Sequence, residues 1–176
     1  MTDQVAIGFC CHSGWAVAVT VRGSRRAPVI LDRARVALLD ERLPRQPYHA
    51  VAEDGADRAV IVEVEDDARR YSSIALATMA SGMIAVVAPV RSIPSDLDQV
   101  LGSHALLHAA EGALYEQTVI DAAVAAGRAA CVVDHRTLQP TKEVEALRGR
   151  IGTPWQKDHE LAATAALTVL EASGTA

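Results

Sequence analysis

The sequence predicts an α/β protein: a five-stranded mixed sheet, three antiparallel strands followed by two parallel ones, with helices on both faces. Three observations carry this prediction. Half of the 176 residues are hydrophobic, yet the aromatics are only two Trp, three Tyr and one Phe, so the core must be built in layers from Ala, Val, Leu and Ile. Short β-branched runs crowd the first forty residues, and helical periodicity dominates afterwards. The length suits one domain over residues 1–176, a size at which folding buries roughly 70% of the unfolded surface.

Residues 5–9 read as a buried strand and 15–21 as a second, β-branched one. The link 10–14 is short enough for an antiparallel hairpin. Gly and Ser in 22–26 mark a turn, and 28–39 resumes an apolar run broken by Asp32, Arg33 and Arg35, giving a third strand. Pro44, Pro47 and Gly55 mark 40–56 as a loop. Val60, Val64, Ala68, Tyr71, Ala75 and Met79 recur at helical spacing within 57–81, and Gly82 ends that helix. The continuous apolar run 83–87 has the length of a strand buried on both faces. A long helix is expected over 96–126, a strand over 129–133, and a loop over 134–152 with a brief helix near 141–148. Thr153 as cap, Pro154 at the first helical position and Gln156 in a capping box predict the start of a last helix running to about residue 172.

The opening Met1-Thr2-Asp3-Gln4 carries no basic leader, and no apolar stretch approaches the ~20 residues that cross a bilayer. Cys10 and Cys11 are adjacent and Cys131 is remote, which is not a disulfide framework. A cytoplasmic protein without membrane association is expected. Net charge is −5, but residues 22–45 set seven arginines against Asp32, Asp40 and Glu41. That segment offers a basic strand edge to an anionic partner, or simply a solvated, charge-protected edge, while the overall acidity opposes avid nonspecific nucleic-acid binding.

The order β-β-β-α-β-α-β-α, with a Gly-Trp pair (Gly14-Trp15) closing the first hairpin, resembles the ribonuclease H-like superfamily with its RuvC-like topology. Right-handed crossovers then place the fourth strand beside the first. Segments 11–15, 103–112 and 154–158 are also similar to signatures of a bacterial protein family, a likeness that implies no activity. The superfamily resemblance implies acidic residues on the first strand, near the end of the fourth and near the start of the last helix, holding two magnesium ions. This chain departs from that pattern. Residues 5–9 contain no Asp, the fourth strand runs into Ala88-Pro89-Val90-Arg91, and only Asp158 matches. Two metals need several oxygen ligands, so an ordinary two-magnesium nuclease site is incomplete.

Other residues compete for chemistry. His104, His108, Glu111 and Tyr115 lie at spacings of four, three and four on an Ala- and Leu-rich helix, so they share one face. The stripe reads as a transition-metal site, a hydrogen-bonded structural stripe or a solvated face; it lacks the His-Glu-x-x-His pattern of zinc proteases. The turn Cys10-Cys11-His12-Ser13-Gly14 holds a His beside nucleophile-type side chains, although buried cysteines are usually inert. The implied topology brings His12 to Asp158, flanked by Lys157, His159 and Glu160, and can bring the histidine stripe to the same place as one composite site. The candidate catalytic residues are therefore His12, Glu111 and Asp158, and the candidate metal ligands His104, His108, Glu111 and Asp158, for a divalent ion such as zinc, manganese or magnesium. His49, His135 and Asp134 fall in expected loops, with a surface role as the default. Trp15 and Trp155 are expected to pack.

No G-x-x-x-x-G-K-[ST] or G-x-G-x-x-G is present, which removes nucleotide switches and dinucleotide enzymes. Two functions from different classes remain. One is a diverged metal-dependent hydrolase or phosphodiesterase with a His/Glu/Asp site acting on a phosphate-containing or nucleic-acid ligand. The other is a noncatalytic module binding a protein or a structured nucleic acid through the arginine-rich edge. Alanine-rich helices leave a homodimer open as well.

Overall fold

The β-branched opening of the chain forms an antiparallel meander in the computed structural model, which describes residues 4–174. Strands β1 (Val5–His12), β2 (Trp15–Ser24) and β3 (Ala27–Ala37) pair in sequence, and β4 (Met83–Ala88) and β5 (Ala130–Asp134) add parallel beyond β1, giving the order β3-β2-β1-β4-β5. The expected order and mixed sheet are both observed. The first hairpin is tighter than expected: β1 continues to His12, which pairs with Trp15, and only Ser13 and Gly14 turn the chain. Gly14 has φ of 82°, a conformation in which a Cβ would be strained.

Alternation along β1 assigns each face its partner. Ala6 and Cys10 belong to a core with Val17, Val19, Ala85 and helix α7 (Lys157–Gly174), whereas Ile7 and Phe9 belong to a second core with α2 (Ala59–Ala77) and α4 (His104–Ala125). Helices thus cover both faces. Among the described residues no helix is long and apolar enough to cross a membrane.

Three helical expectations need correction. The loop over 40–56 contains a short helix, α1 (Pro47–Ala52), because Pro47 takes the first helical position, where its missing N–H costs nothing. The single helix over 96–126 is two: α3 (Leu97–Leu101), capped by Asp96 through the Asp98 N–H, and α4, separated by Gly102 and by Ser103 in an extended conformation. Gly and Ser favour caps over helix interiors, so the axis is reset there and His104 becomes the first residue of α4. The last helix starts at Lys157, not behind Thr153, and the Thr153–Pro154 peptide is cis. Arg33 Nη2 donates to the carbonyls of Ile151 and Thr153, and Trp155 is buried, so 153–156 is committed to tertiary contacts. The cap comes from within the helix: His159 Nδ1 accepts the Gln156 N–H at 3.3 Å. Between β5 and α7 lie α5 (Lys142–Ala146) and α6 (Arg148–Ile151).

Candidate sites at the carboxyl ends of the strands

His12 ends β1 on the face that α7 covers, and Asp158 stands in the first turn of α7. The two residues meet at 2.9 Å between Nε2 and Oδ2, with side chains 39% and 35% exposed, so the pair is held but reachable from solvent. The His12 ring stacks on Trp15 at 4.1 Å between centroids, nearly parallel, and the Arg35 guanidinium carbon lies 3.9 Å from the Trp15 ring centroid. A cation on an aromatic face is a favourable contact that also fixes Trp15. Of the residues flanking Asp158, His159 and Glu160 turn inward and are buried, Glu160 receiving Arg148 at 2.9 Å.

The neighbouring cysteines are not poised as nucleophiles. Burial, reinforced by the Asp158 charge, pushes the Cys10 thiol up to about 12, and burial raises Cys11 well above the ordinary thiol range. A thiolate is the reactive form, and neither site favours one.

The second cluster lies at the same end of the sheet on the opposite face, where α1 leans on the start of α4. Glu111 is buried; its Oε1 accepts the backbone N–H groups of Tyr48 (2.9 Å) and His49 (3.2 Å) and contacts His49 Nδ1 at 3.3 Å. Burial raises the Glu111 carboxyl, and these hydrogen bonds oppose the rise. His104 Nδ1 contacts Glu53 at 3.1 Å, and the Nε2 atoms of His104 and His108 lie 3.1 Å apart. Tyr115, fully buried, donates its hydroxyl to the Arg45 carbonyl at 2.7 Å. The polar stripe of α4 is therefore one wall of the α1–α4 junction rather than a uniformly solvated face.

The structure divides the expected metal set. His104 and His108 are joined by His49, one ring nitrogen of each lying within 4.8 Å of the other two, whereas Asp158 is engaged with His12 and Glu111 stands behind His49. His49 was hidden in an expected loop; Pro47 as a helix start and the four-residue spacing to Glu53 were the signals available. Donors at the end of β1 do not fit two magnesium ions either. They are two thiols, an imidazole and a single carboxylate, and the nearby Glu116 is held by Arg91 at 2.6 Å. A surface depression elsewhere is lined by Asp40, Arg42 and the α2 residues Glu63, Asp66, Asp67 and Arg70, and there Arg42 pairs with Asp40 and Arg70 with Asp67.

Much of the basic segment is engaged internally. Arg25 pairs with Glu171, Arg33 holds two carbonyls, Arg35 covers Trp15 and Arg42 pairs with Asp40.

No protein-family model matches the sequence, and no curated protein is significantly similar to it. Solved structures are similar. Thermus thermophilus RuvC in complex with a Holliday junction substrate aligns with a TM-score of 0.59 at 14% identity, covering 98% of this chain and 96% of that one. A structure of Thermus thermophilus RuvC alone aligns with a TM-score of 0.58, with the same identity and coverage. The chain therefore has the ribonuclease H-like fold with RuvC-like topology; at this identity the likeness speaks for the fold alone.

Proposed function

We propose that this chain is a hydrolase of phosphodiesters or kindred anionic esters, with His12 as the acid–base group and Asp158 as the carboxylate that orients it. The carrying observation is the 2.9 Å contact between two residues 146 positions apart, at the carboxyl ends of the parallel strands, where open α/β sheets place their ligands. By accepting the proton on Nε2, Asp158 fixes the tautomer and leaves Nδ1 to exchange a proton with a water or a leaving oxygen. Trp15 limits rotation of the ring from one side, and Arg35 supplies a positive charge on the same platform. The choice of substrate class draws on the structural neighbour that carries a Holliday junction. Glu111, buried behind His49 on the other face of the sheet, takes no part in this reading.

The test is turnover of a chromogenic phosphodiester and of single-stranded, duplex and branched DNA, each with and without added divalent ions. General acid–base catalysis contributes on the order of 10²–10⁴-fold, so His12→Ala is expected to lose at least a hundredfold and Asp158→Asn less. No turnover of any substrate by the wild type, or full activity in His12→Ala, overturns the proposal.

A further inference from the structure

We propose that His49, His104 and His108 form a binding site for one divalent transition ion of the zinc class, with Glu111 and Glu53 as the carboxylates that orient its ligands. The inference is independent of the hydrolase reading, because it concerns a different cluster on the other face of the sheet.

His49 supplies the first step. Glu111 Oε1 already receives the N–H groups of Tyr48 and His49, so it acts as an acceptor and the proton between it and His49 belongs to Nδ1. Nε2 of a neutral His49 is then a bare lone pair. It is buried, as is Glu111 Oε2, and neither has a hydrogen-bond partner. An unpaired buried acceptor forfeits the hydrogen bonds it would have in water, and a metal ion removes that cost for His49. His104 repeats the arrangement, since Glu53 occupies its Nδ1 and leaves Nε2 facing His108. Two of the three imidazoles thus have the carboxylate-to-His arrangement that fixes a tautomer and strengthens a ligand.

The spacing fits. Bonds of about 2.0–2.1 Å in a tetrahedral site set ligand nitrogens about 3.3 Å apart, and the His104 and His108 Nε2 atoms are at 3.1 Å. One ring nitrogen of His49 lies within 4.8 Å of a ring nitrogen of each of the other two, so closure around that set requires a shift of about 1.5 Å or less against the tetrahedral value. Without metal, the His108 Nε2–H donates to His104; on binding, exposed His108 carries its proton on Nδ1 and both Nε2 atoms turn to the ion. Neutral imidazoles select zinc, cobalt, nickel or copper over magnesium and calcium. His104 and His108 are exposed, which leaves the fourth position to water.

Titration of the chelator-stripped, untagged chain with Co²⁺ and Zn²⁺ tests the site, read by the visible spectrum of tetrahedral cobalt, by zinc competition and by calorimetry. One ion per chain is expected, with no response to Mg²⁺ and full binding retained in His12→Ala. The double variant His104→Ala/His108→Ala alters two exposed residues and is expected to lose at least a hundredfold in affinity. His49→Ala is expected to lose as much, and Glu53→Ala roughly tenfold, within the 10–100-fold range of outer-shell partners. Stoichiometric binding that survives the double variant, or no binding of Co²⁺ or Zn²⁺ by the wild type, overturns the proposal. The exposed pair decides the question even where His49→Ala fails to fold.

Discussion

Glu116 on α4 meets Arg91, the third residue past β4, with both carboxylate oxygens 2.6 Å from one guanidinium nitrogen and both side chains largely buried. Burial pushes the Glu116 carboxyl up from 4.5 to about 7 against the opposing pull of Arg91, and its charge in turn helps raise Cys11. A carboxyl raised on folding makes the folded state hold its proton more tightly. Its contribution to stability is fully present below 4.5 and is lost as pH rises through about 7. Glu116→Gln stays neutral throughout, so the stability of the variant relative to wild type should rise by on the order of 2 kcal/mol across that window. Chemical denaturation at several pH values measures this; parallel stability profiles for the two proteins would refute it. At this scale the sequence exposed His12, His104, His108 and Asp158, because polar residues interrupting apolar elements are conspicuous. It hid Glu116, Arg91 and His49, whose roles depend on which elements cross.

Among the elements, β1 and α7 approach each other closely beside the proposed dyad. A Cβ at Gly8 would overlap the Ala162 carbonyl oxygen, and the facing surface of α7 is made of Ala162, Ala163, Ala165 and Ala166, all fully buried. Small residues let helix and strand approach until only Gly fits. Because the obstacle is backbone, the side chains cannot relieve it. Gly8→Ala should therefore cost about 3 kcal/mol or more, at or beyond the upper end of ordinary overpacking. Gly149→Ala, in open space at a negative φ, should be near neutral. Equal unfolding midpoints for the two variants would show that α7 can slide. Strands and long helices were legible here because their periods of 2 and 3.6 repeat over many residues. The short helix α1, the break at Gly102-Ser103 and the start of α7 were not, since a few residues of cap chemistry compete with tertiary contacts such as those of Arg33.

Across the whole molecule, the two clusters share one end of the sheet because β1, β3 and β4 run in the same direction, with α1 and α4 following β3 and β4. Alternation along β1 then separates them: Cys10 and His12 face α7, while Cys11 packs toward α4. The shared end followed from element order and the handedness of crossovers, which is why the meeting of His12 and Asp158 could be anticipated; the division onto two faces overturns the single composite site that was expected to include the histidine stripe. Which histidines would gather on the other face could not, because α1 had no periodicity to announce it. The edge strand has a further part in this arrangement. Arg33 reaches from β3 to the carbonyls of Ile151 and Thr153, just before the helix that presents Asp158. Removing the guanidinium leaves two carbonyls without their donor, at a cost of about 1–2 kcal/mol, and frees the segment that aims Asp158. Arg33→Ala should therefore speed amide exchange over residues 150–158 while leaving exchange in α1 and the first turns of α4 unchanged. It should also weaken any turnover that depends on His12 without altering Co²⁺ affinity at the three histidines. Uniform acceleration of exchange throughout the chain would instead mean that Arg33 supports global stability and that the two ends of the arrangement are not separately held.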